Sequence, residues 1–294
     1  MNLKRNSFYP TELFVQNTFA ERILVLTVVP SSMKKIPFYK YQGTGNDFVM
    51  IDQRQEKYLS RQDTSLIEHI CDRRFGVGAD GLILLQNTEG FDFEMVYFNS
   101  DGRESSMCGN GGRCIAAFAN YLGAAGETCR FLAIDGPHEA KVNQDWVELK
   151  MADVKEVESG DGSFILNTGS PHYVVFVEDL SDMNIVESGQ VIRYSDRFRQ
   201  DGINVNFVEK TANGIEVATY ERGVEDETFS CGTGVTAAAI SYLVANPALA
   251  SNEIPIKTKG GDLMVKLQRK PDGSFDHIWL CGPAKQVFSG EYFL

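Results

Sequence analysis

Along most of the chain, hydrophobic residues fall into short apolar or alternating runs separated by Gly, Asp and Asn, the pattern of strands joined by tight turns. The first convincing run, Ile36-Pro-Phe-Tyr-Lys-Tyr41, begins just after Met33. Others include Leu82–Leu85, Glu94–Phe98 and Glu216–Tyr220. Two stretches break the pattern: Ile115–Leu122 and Ala237–Val244 are apolar nearly all round, as a helix wrapped by a sheet should be. Ahead of Met33, the apolar run Leu24–Val29 is far too short to span a bilayer. No small-residue cleavage pattern follows it, and Lys34 and Lys35 come next. Residues 1–32 are therefore expected to be a poorly ordered extension, with secretion as the alternative.

The chain is also written twice. Glu104-Ser-Ser-Met-Cys108-Gly-Asn-Gly-Gly aligns with Glu227-Thr-Phe-Ser-Cys231-Gly-Thr-Gly-Val, 123 residues later, and each copy leads into one of the apolar helices. Upstream, Glu94–Phe98 answers Glu216–Tyr220, Asp80–Leu85 answers Asp201–Asn206, and Gly43–Val49 more faintly answers Gly169–Val175. Four matches in one order at nearly one spacing predict an α+β protein of two pseudo-symmetric domains, over 33–150 and 151–279, with the ligand site in the cleft between them.

Composition narrows the chemistry. The 294 residues carry a formal net charge of −12 and no Lys/Arg cluster, which argues against a nucleic-acid surface. The six cysteines include no C-x-x-C pair and the four histidines are scattered, so neither a zinc site nor a dithiol redox motif is expected. Cys71, Cys129 and Cys281 read as buried small hydrophobes of a reducing compartment, the cytoplasm.

Cys108 and Cys231 differ from these. Each precedes Gly-x-Gly and an apolar helix, which places a thiol at a helix N-terminus, where unpaired N–H groups and the helix dipole favour a thiolate and can bind a carboxylate. One such motif alone is equally a buried cysteine before a turn. Two, on facing domains, put a thiol on each side of a bound molecule. Stereoinversion at a carbon acid needs that arrangement: one group removes the proton and another supplies one to the opposite face. A thiol hydrolase would need a histidine partner, which no spacing identifies.

At these residues the chain resembles the diaminopimelate epimerase family over nearly all of Met33–Leu294. The matching motifs are Gly43-Thr-Gly-Asn-Asp-Phe-Val, Arg74-Phe-Gly-Val-Gly-Ala-Asp-Gly, Phe98-Asn-Ser-Asp-Gly and Cys108-Gly-Asn-Gly-Gly-Arg-Cys, then Gly169-Ser-Pro-His, Ile203-Asn-Val-Asn-Phe, Tyr220-Glu-Arg-Gly and Cys231-Gly-Thr-Gly. The resemblance implies two similar sheets, mixed but mostly antiparallel, each around a central helix, with 280–294 returning to the first domain. It implies a PLP-independent isomerase, using no cofactor or metal, that interconverts LL- and meso-diaminopimelate on the route to lysine and peptidoglycan, as a homodimer. Cys108 and Cys231 would be the thiolate/thiol pair. Asn46, Gly109, Asn110, Gly232 and Thr233 would hold the reacting end of the substrate; Asn99, Asn204, Glu221 and Arg222 would hold the distal end. His172 and Glu221 would support the pair.

The chain departs from the family pattern at three places: Gly81 where Gln is frequent, Ser170 where Asn is usual, and a loop from Arg222 to Cys231 one residue longer than common. Plainer readings stand beside these roles. Asn46, Asn99 and Asn204 lie in turn-like strings, His172 follows a proline as a loop histidine could, and Arg74 and Arg113 read as surface or scaffold residues. A related proline or hydroxyproline racemase shares the two-cysteine logic, but the distal set, Arg222 above all, fits a long diacid.

Overall fold

A computed structural model describes residues 34–294; the extension over 1–32 lies outside the described residues. The alternating runs form β1 (Lys35–Gly43), β2 (Asn46–Asp52), β3 (Gly81–Gln86), β4 (Phe93–Asn99), β5 (Thr128–Ala133), β6 (Gly136–Asn143) and β7 (Trp146–Lys150). They continue with β8 (Glu158–Gly160), β9 (Ser163–Asn167), β10 (Pro171–Val177), β11 (Asn204–Thr211), β12 (Gly214–Glu221) and β13 (Asp226–Thr228). The last four are β14 (Glu253–Thr258), β15 (Gly261–Arg269), β16 (Phe275–Pro283) and β17 (Lys285–Phe293). The helices are α1 (Thr64–Cys71), α2 (Gly109–Tyr121), α3 (Ile185–Arg193) and α4 (Gly232–Ala245).

The repetition seen in the sequence recurs in the strand pairing. Through β1 to β7, neighbours pair antiparallel, parallel, antiparallel, parallel, then antiparallel twice. Through β9, β10, β11, β12, β14, β15 and β16 the same six senses recur in the same order. Each half also gains an outermost antiparallel strand, β17 on β1 and β8 on β9. Pairing of β7 with β16 joins the halves into one sheet. Parallel neighbours cannot be joined by a hairpin, so every parallel pair has a helix in its crossover. These helices are α1 and α3 for the first crossover in each half, and α2 and α4 for the second.

The crossovers occupy opposite faces of the sheet. Every residue of α2 from Gly109 to Ala119 is buried, as is α4 from Gly232 to Leu243 except Thr233 and Tyr242. Both helices share one continuous core with the inner faces of the strands. By contrast α1 and α3 bury one stripe each, Ile67, Ile70 and Cys71 in the first and Ile185 and Gly189 in the second, over separate outer cores. In β3 the alternation serves both faces: Ile83 and Leu85 point to the inner core, Leu82 and Leu84 to the outer. That two-sided burial explains an unbroken apolar run where a one-sided strand would alternate with polar residues. Truncating Leu84 to Ala would cost about 2–5 kcal/mol.

Candidate active site

Each inner helix starts at a cysteine. Cys108 and Cys231 are the N-cap residues of α2 and α4, both with extended backbone (φ −93°, ψ 134° and φ −108°, ψ 112°). The first helical bonds run from Gly112 N–H to the Cys108 carbonyl at 2.7 Å and from Val235 N–H to the Cys231 carbonyl at 2.9 Å. The two helix starts abut. A Cβ on Gly109 would lie 3.3 Å from the Gly232 Cα and 3.0 Å from Leu280 Cδ2; one on Gly232 would lie 3.2 Å from the Gly109 Cα and 2.9 Å from the same leucine atom. These glycines thus have a second reason to be glycine besides close approach to a ligand. The unpaired N–H groups and positive dipole ends of both helices converge on one place.

All six cysteines are free. Cys231 is buried, Cys108 half-buried. Burial pushes both thiols above the ordinary thiol range. The carboxylate of Glu221 adds to the rise at both, while backbone N–H groups of Gly111 and Asn110 act against it at Cys108, and Thr233 and the Gly234 N–H do so at Cys231. Cys231 also feels the charge of Cys108, so the thiols are electrostatic neighbours although 123 residues separate them (231 − 108).

Around Cys108 the partners are amides. Its Sγ lies 3.6 Å from Asn46 Oδ1, and Asn46 donates through Nδ2 to Asp80 Oδ2 at 2.7 Å. Asn110 Nδ2 donates to Asn46 Oδ1 (3.3 Å) and to the Ser230 carbonyl (2.9 Å), which belongs to the other half. Around Cys231 the partners are a hydroxyl and an imidazole: Sγ lies 3.5 Å from Thr233 Oγ1, itself 2.9 Å from His172 Nε2. His172 is wholly buried in β10, not in a loop, and burial, with the nearby Arg222 charge, lowers it to about 3, so the ring is neutral at physiological pH.

The distal residues gather at the adjoining strand ends. Asn204 opens β11, donates through Nδ2 to Ser170 Oγ (2.9 Å) and to the Pro171 carbonyl (3.0 Å), and accepts from the Arg222 N–H (2.9 Å). The Arg222 guanidinium donates to the Asp201 carbonyl at 3.0 Å, and no carboxylate pairs with it among the described residues. Glu221, at the end of β12, has its carboxyl raised by burial and by the Asp80 charge. Asn99 takes the equivalent place at the end of β4, exposed and opposite Gly81.

Each departure from the family pattern has a local cause or partner. A Cβ at Gly81 would lie 2.5 Å from the Phe98 carbonyl oxygen and 2.6 Å from Tyr97 Cε2, so the Tyr97 ring occupies the space a side chain at 81 would need. Ser170 keeps contact with Asn204. In the longer loop, Glu225 has a left-handed backbone (φ 59°) and accepts from the hydroxyls of Tyr194 (2.8 Å) and Tyr220 (2.9 Å), which tie the loop to α3 and β12.

Sequence reasoning left one supporting residue open between two readings and missed two others. Arg113, read as surface or scaffold, is scaffold: it is completely buried and donates to Asn110 Oδ1 (3.0 Å) and Thr44 Oγ1 (3.1 Å). Asp80 orients Asn46, and Asn206 orients His172. For Arg113 and Asn206 the signal was a polar residue inside an apolar element, arginine in an alanine-rich helix and asparagine within Ile203–Val208; Asp80, in a turn-like string, carried none. Among the described residues no helix is long and apolar enough to cross a membrane.

A family model described as diaminopimelate epimerase matches residues 38–157 and again 164–286, one stretch in each half. The diaminopimelate epimerase of Flavobacterium psychrophilum is 52% identical over 252 residues, covering 85% of this chain and 97% of that protein. The enzyme of the same name from Chlorobaculum tepidum is 40% identical over 263 residues, covering 86% and 99%. Among solved structures, a PhzF-family phenazine biosynthesis protein of Bacillus anthracis superposes with a TM-score of 0.70 at 13% identity, over 89% of this chain and all of that one. A hydroxyproline epimerase of Agrobacterium vitis, with trans-4-hydroxy-L-proline bound, gives 0.64 at 14% identity, over 88% and 93%. At such identities the structures speak for the shared fold alone.

Proposed function

Because the chain belongs to the diaminopimelate epimerase family, we propose that it interconverts LL- and meso-diaminopimelate through Cys108 and Cys231, without PLP or metal. The observation that carries this reading is the meeting of two cysteine-capped helix starts from the two halves of a duplicated fold. The substrate carboxylate at the reacting carbon takes the unpaired N–H groups of α2 and α4, with Asn46, Asn110 and Thr233 around it. One thiolate removes the α-proton, and the thiol on the other side delivers a proton to the opposite face. Negative charge developing on the carboxylate meets donors already in place, so little reorganisation is needed at the moment of reaction. Burial serves the same chemistry, because a thiolate formed where it is poorly solvated is a stronger base.

Asn99, Asn204, Glu221 and the fork of Arg222 receive the distal amino-acid end, while His172 and Glu221 set the polar surroundings of the pair. Residues 33–150 with 280–294, and 151–279, act as two domains across the cleft. The reading extends to a cytoplasmic homodimer that supplies lysine and peptidoglycan synthesis. Exposed Val287, Phe288 and Phe293 on the outermost strand β17 offer an apolar surface for the second copy. The second reading, a proline or hydroxyproline racemase, shares the two-cysteine logic but leaves the distal residues without a use.

Uptake of deuterium at the α-carbon in heavy water, without added cofactor, tests both. Exchange with LL- and meso-diaminopimelate and none with proline is expected; exchange with proline alone would transfer the assignment to the second reading.

A further inference from the structure

We infer that Asn206 is a positioning residue that fixes the tautomer of His172, turns the Thr233 hydroxyl towards Cys231 and so makes Cys231 a hydrogen-bond acceptor while Cys108 is a donor. This rests on the two-thiol reading above.

The chain of bonds has one consistent direction. Asn206 is wholly buried in β11. Its Nδ2 lies 3.0 Å from the Tyr173 carbonyl, which can only accept, and its Oδ1 lies 3.0 Å from the Thr219 hydroxyl. The amide is therefore oriented by its neighbours. The same NH2 group lies 3.1 Å from His172 Nδ1, which must then carry the lone pair. In a neutral ring the one proton is left on Nε2, which donates to Thr233 Oγ1 at 2.9 Å. The Thr233 hydroxyl, having accepted, points its own hydrogen to the remaining neighbour, Cys231 Sγ at 3.5 Å. A Cβ on Gly234 would come within 2.4 Å of Asn206 Oδ1, so the helix start is shaped around this amide.

On the other side the polarity is reversed. Asn46 spends its NH2 group on the Asp80 carboxylate and presents Oδ1, an acceptor, to Cys108 Sγ. The Asp80 carboxylate is held in turn by Arg73, at 2.7 Å. Both sulfurs face helix N–H groups, Gly111 and Asn110 at Cys108 and Gly234 at Cys231, but the side-chain partner of Cys108 accepts from its thiol whereas that of Cys231 is a hydroxyl donor. The charged groups that act on Cys231 are Glu221 from β12 and Cys108 from α2; Arg222 acts on His172. Glu221 opposes ionisation at both thiols and helix N–H groups favour it at both, with the Arg113 charge adding at Cys108; the side-chain partners are what differ in direction, a hydroxyl donor at Cys231 and an amide acceptor at Cys108.

The test reads the imidazole and the thiols in the substrate-free full chain. Nitrogen-15 NMR of the four histidines, with His172 assigned by the loss of its signal in His172→Gln, should show the proton on Nε2. Asn206→Leu, nearly isosteric and uncharged, should give a tautomer mixture. It should also slow iodoacetamide labelling of Cys231 at fixed pH by about three- to tenfold, as expected for one lost bond to the ionised group, with Cys108 changed less than twofold. A wild-type His172 proton on Nδ1, a measurement that needs no variant, would overturn the assignment. So would equal slowing of both cysteines in Asn206→Leu. A wrong substrate assignment shows itself differently, as absent deuterium uptake with the labelling pattern intact.

Discussion

The two cysteine loops repeat one backbone plan with different side chains. Both cysteines occupy the N-cap position of an apolar helix, both are followed by Gly-x-Gly, and the glycine after each cysteine packs against the other's backbone. Yet the bonds lead from Cys108 to Asn46 and on to Asn110 and Asp80, and from Cys231 to Thr233 and on through His172 to Asn206. Duplication accounts for the shared part: it makes two equivalent helix ends that meet. The unshared part is what a two-face reaction requires, since a base and an acid must be held in different protonation states at the same moment. A perfectly symmetric site would give neither thiol a reason to ionise first.

The largest effect that would break the comparison is loss of one thiol. Cys108→Ser and Cys231→Ser should each lower epimerisation by about 10²–10⁴-fold, the range for a positioned acid or base. Residual α-proton exchange should be biased to one stereoisomer in each mutant, with opposite bias between them. Full activity in either mutant would refute the two-base mechanism. Next comes the proposed distal site, where the second half places Arg222 and the first half has Ser100 at the same offset (222 − 122 = 100). Arg222→Lys keeps the charge but not the planar fork, and should raise KM for diaminopimelate by about 10–100-fold, with thiol alkylation unchanged, as for losing roughly 1.5–3 kcal/mol of charged hydrogen bonding. Unchanged steady-state kinetics would remove Arg222 from the carboxylate site.

Gly109→Ala and Gly232→Ala probe where the halves are alike. Each methyl would press on Leu280 and on the facing helix, so both should lose similar stability, about 1–3 kcal/mol, measured by urea unfolding. A large difference between the two would mean the contact is less symmetric than its distances. The smallest effect is expected at Ser170→Asn. Both side chains can accept from Asn204, so stability should shift by less than about 0.5 kcal/mol and substrate KM by less than threefold; a larger KM change would show that residue 170 touches substrate.

Much of this architecture was legible because it is local and repeated. Alternation in the β1 run, the alanine-rich helices after Cys108 and Cys231, and the offset copies of Glu94–Phe98 and Asp80–Leu85 each leave a trace in adjacent residues. Pairing of β17 with β1 left none in periodicity, since Lys35 and Phe293, which meet in it, lie 258 residues apart (293 − 35). The cysteines were legible through duplication. The roles of Asn206 and Asp80 were not, because their influence passes through the side chain of another residue: a polar residue in an apolar run marks Asn206 as unusual, but spacing does not reveal which way its amide points. Arg113 looked like any helical arginine until its surroundings showed that it reaches inward.

The pairing of β17 with β1 also bears on how the molecule is made. A ribosome that has released residues 34–150 has delivered the first seven strands, but the partner of β1 on its other edge begins only 135 residues later (285 − 150 = 135). Until then β1 presents an open row of N–H and carbonyl groups, beside Ile36 and Phe38, to every other nascent chain nearby. Synthesis from the N-terminus and closure by the C-terminus therefore leave a window in which association competes with folding. The last strand closes that window as well as completing the sheet.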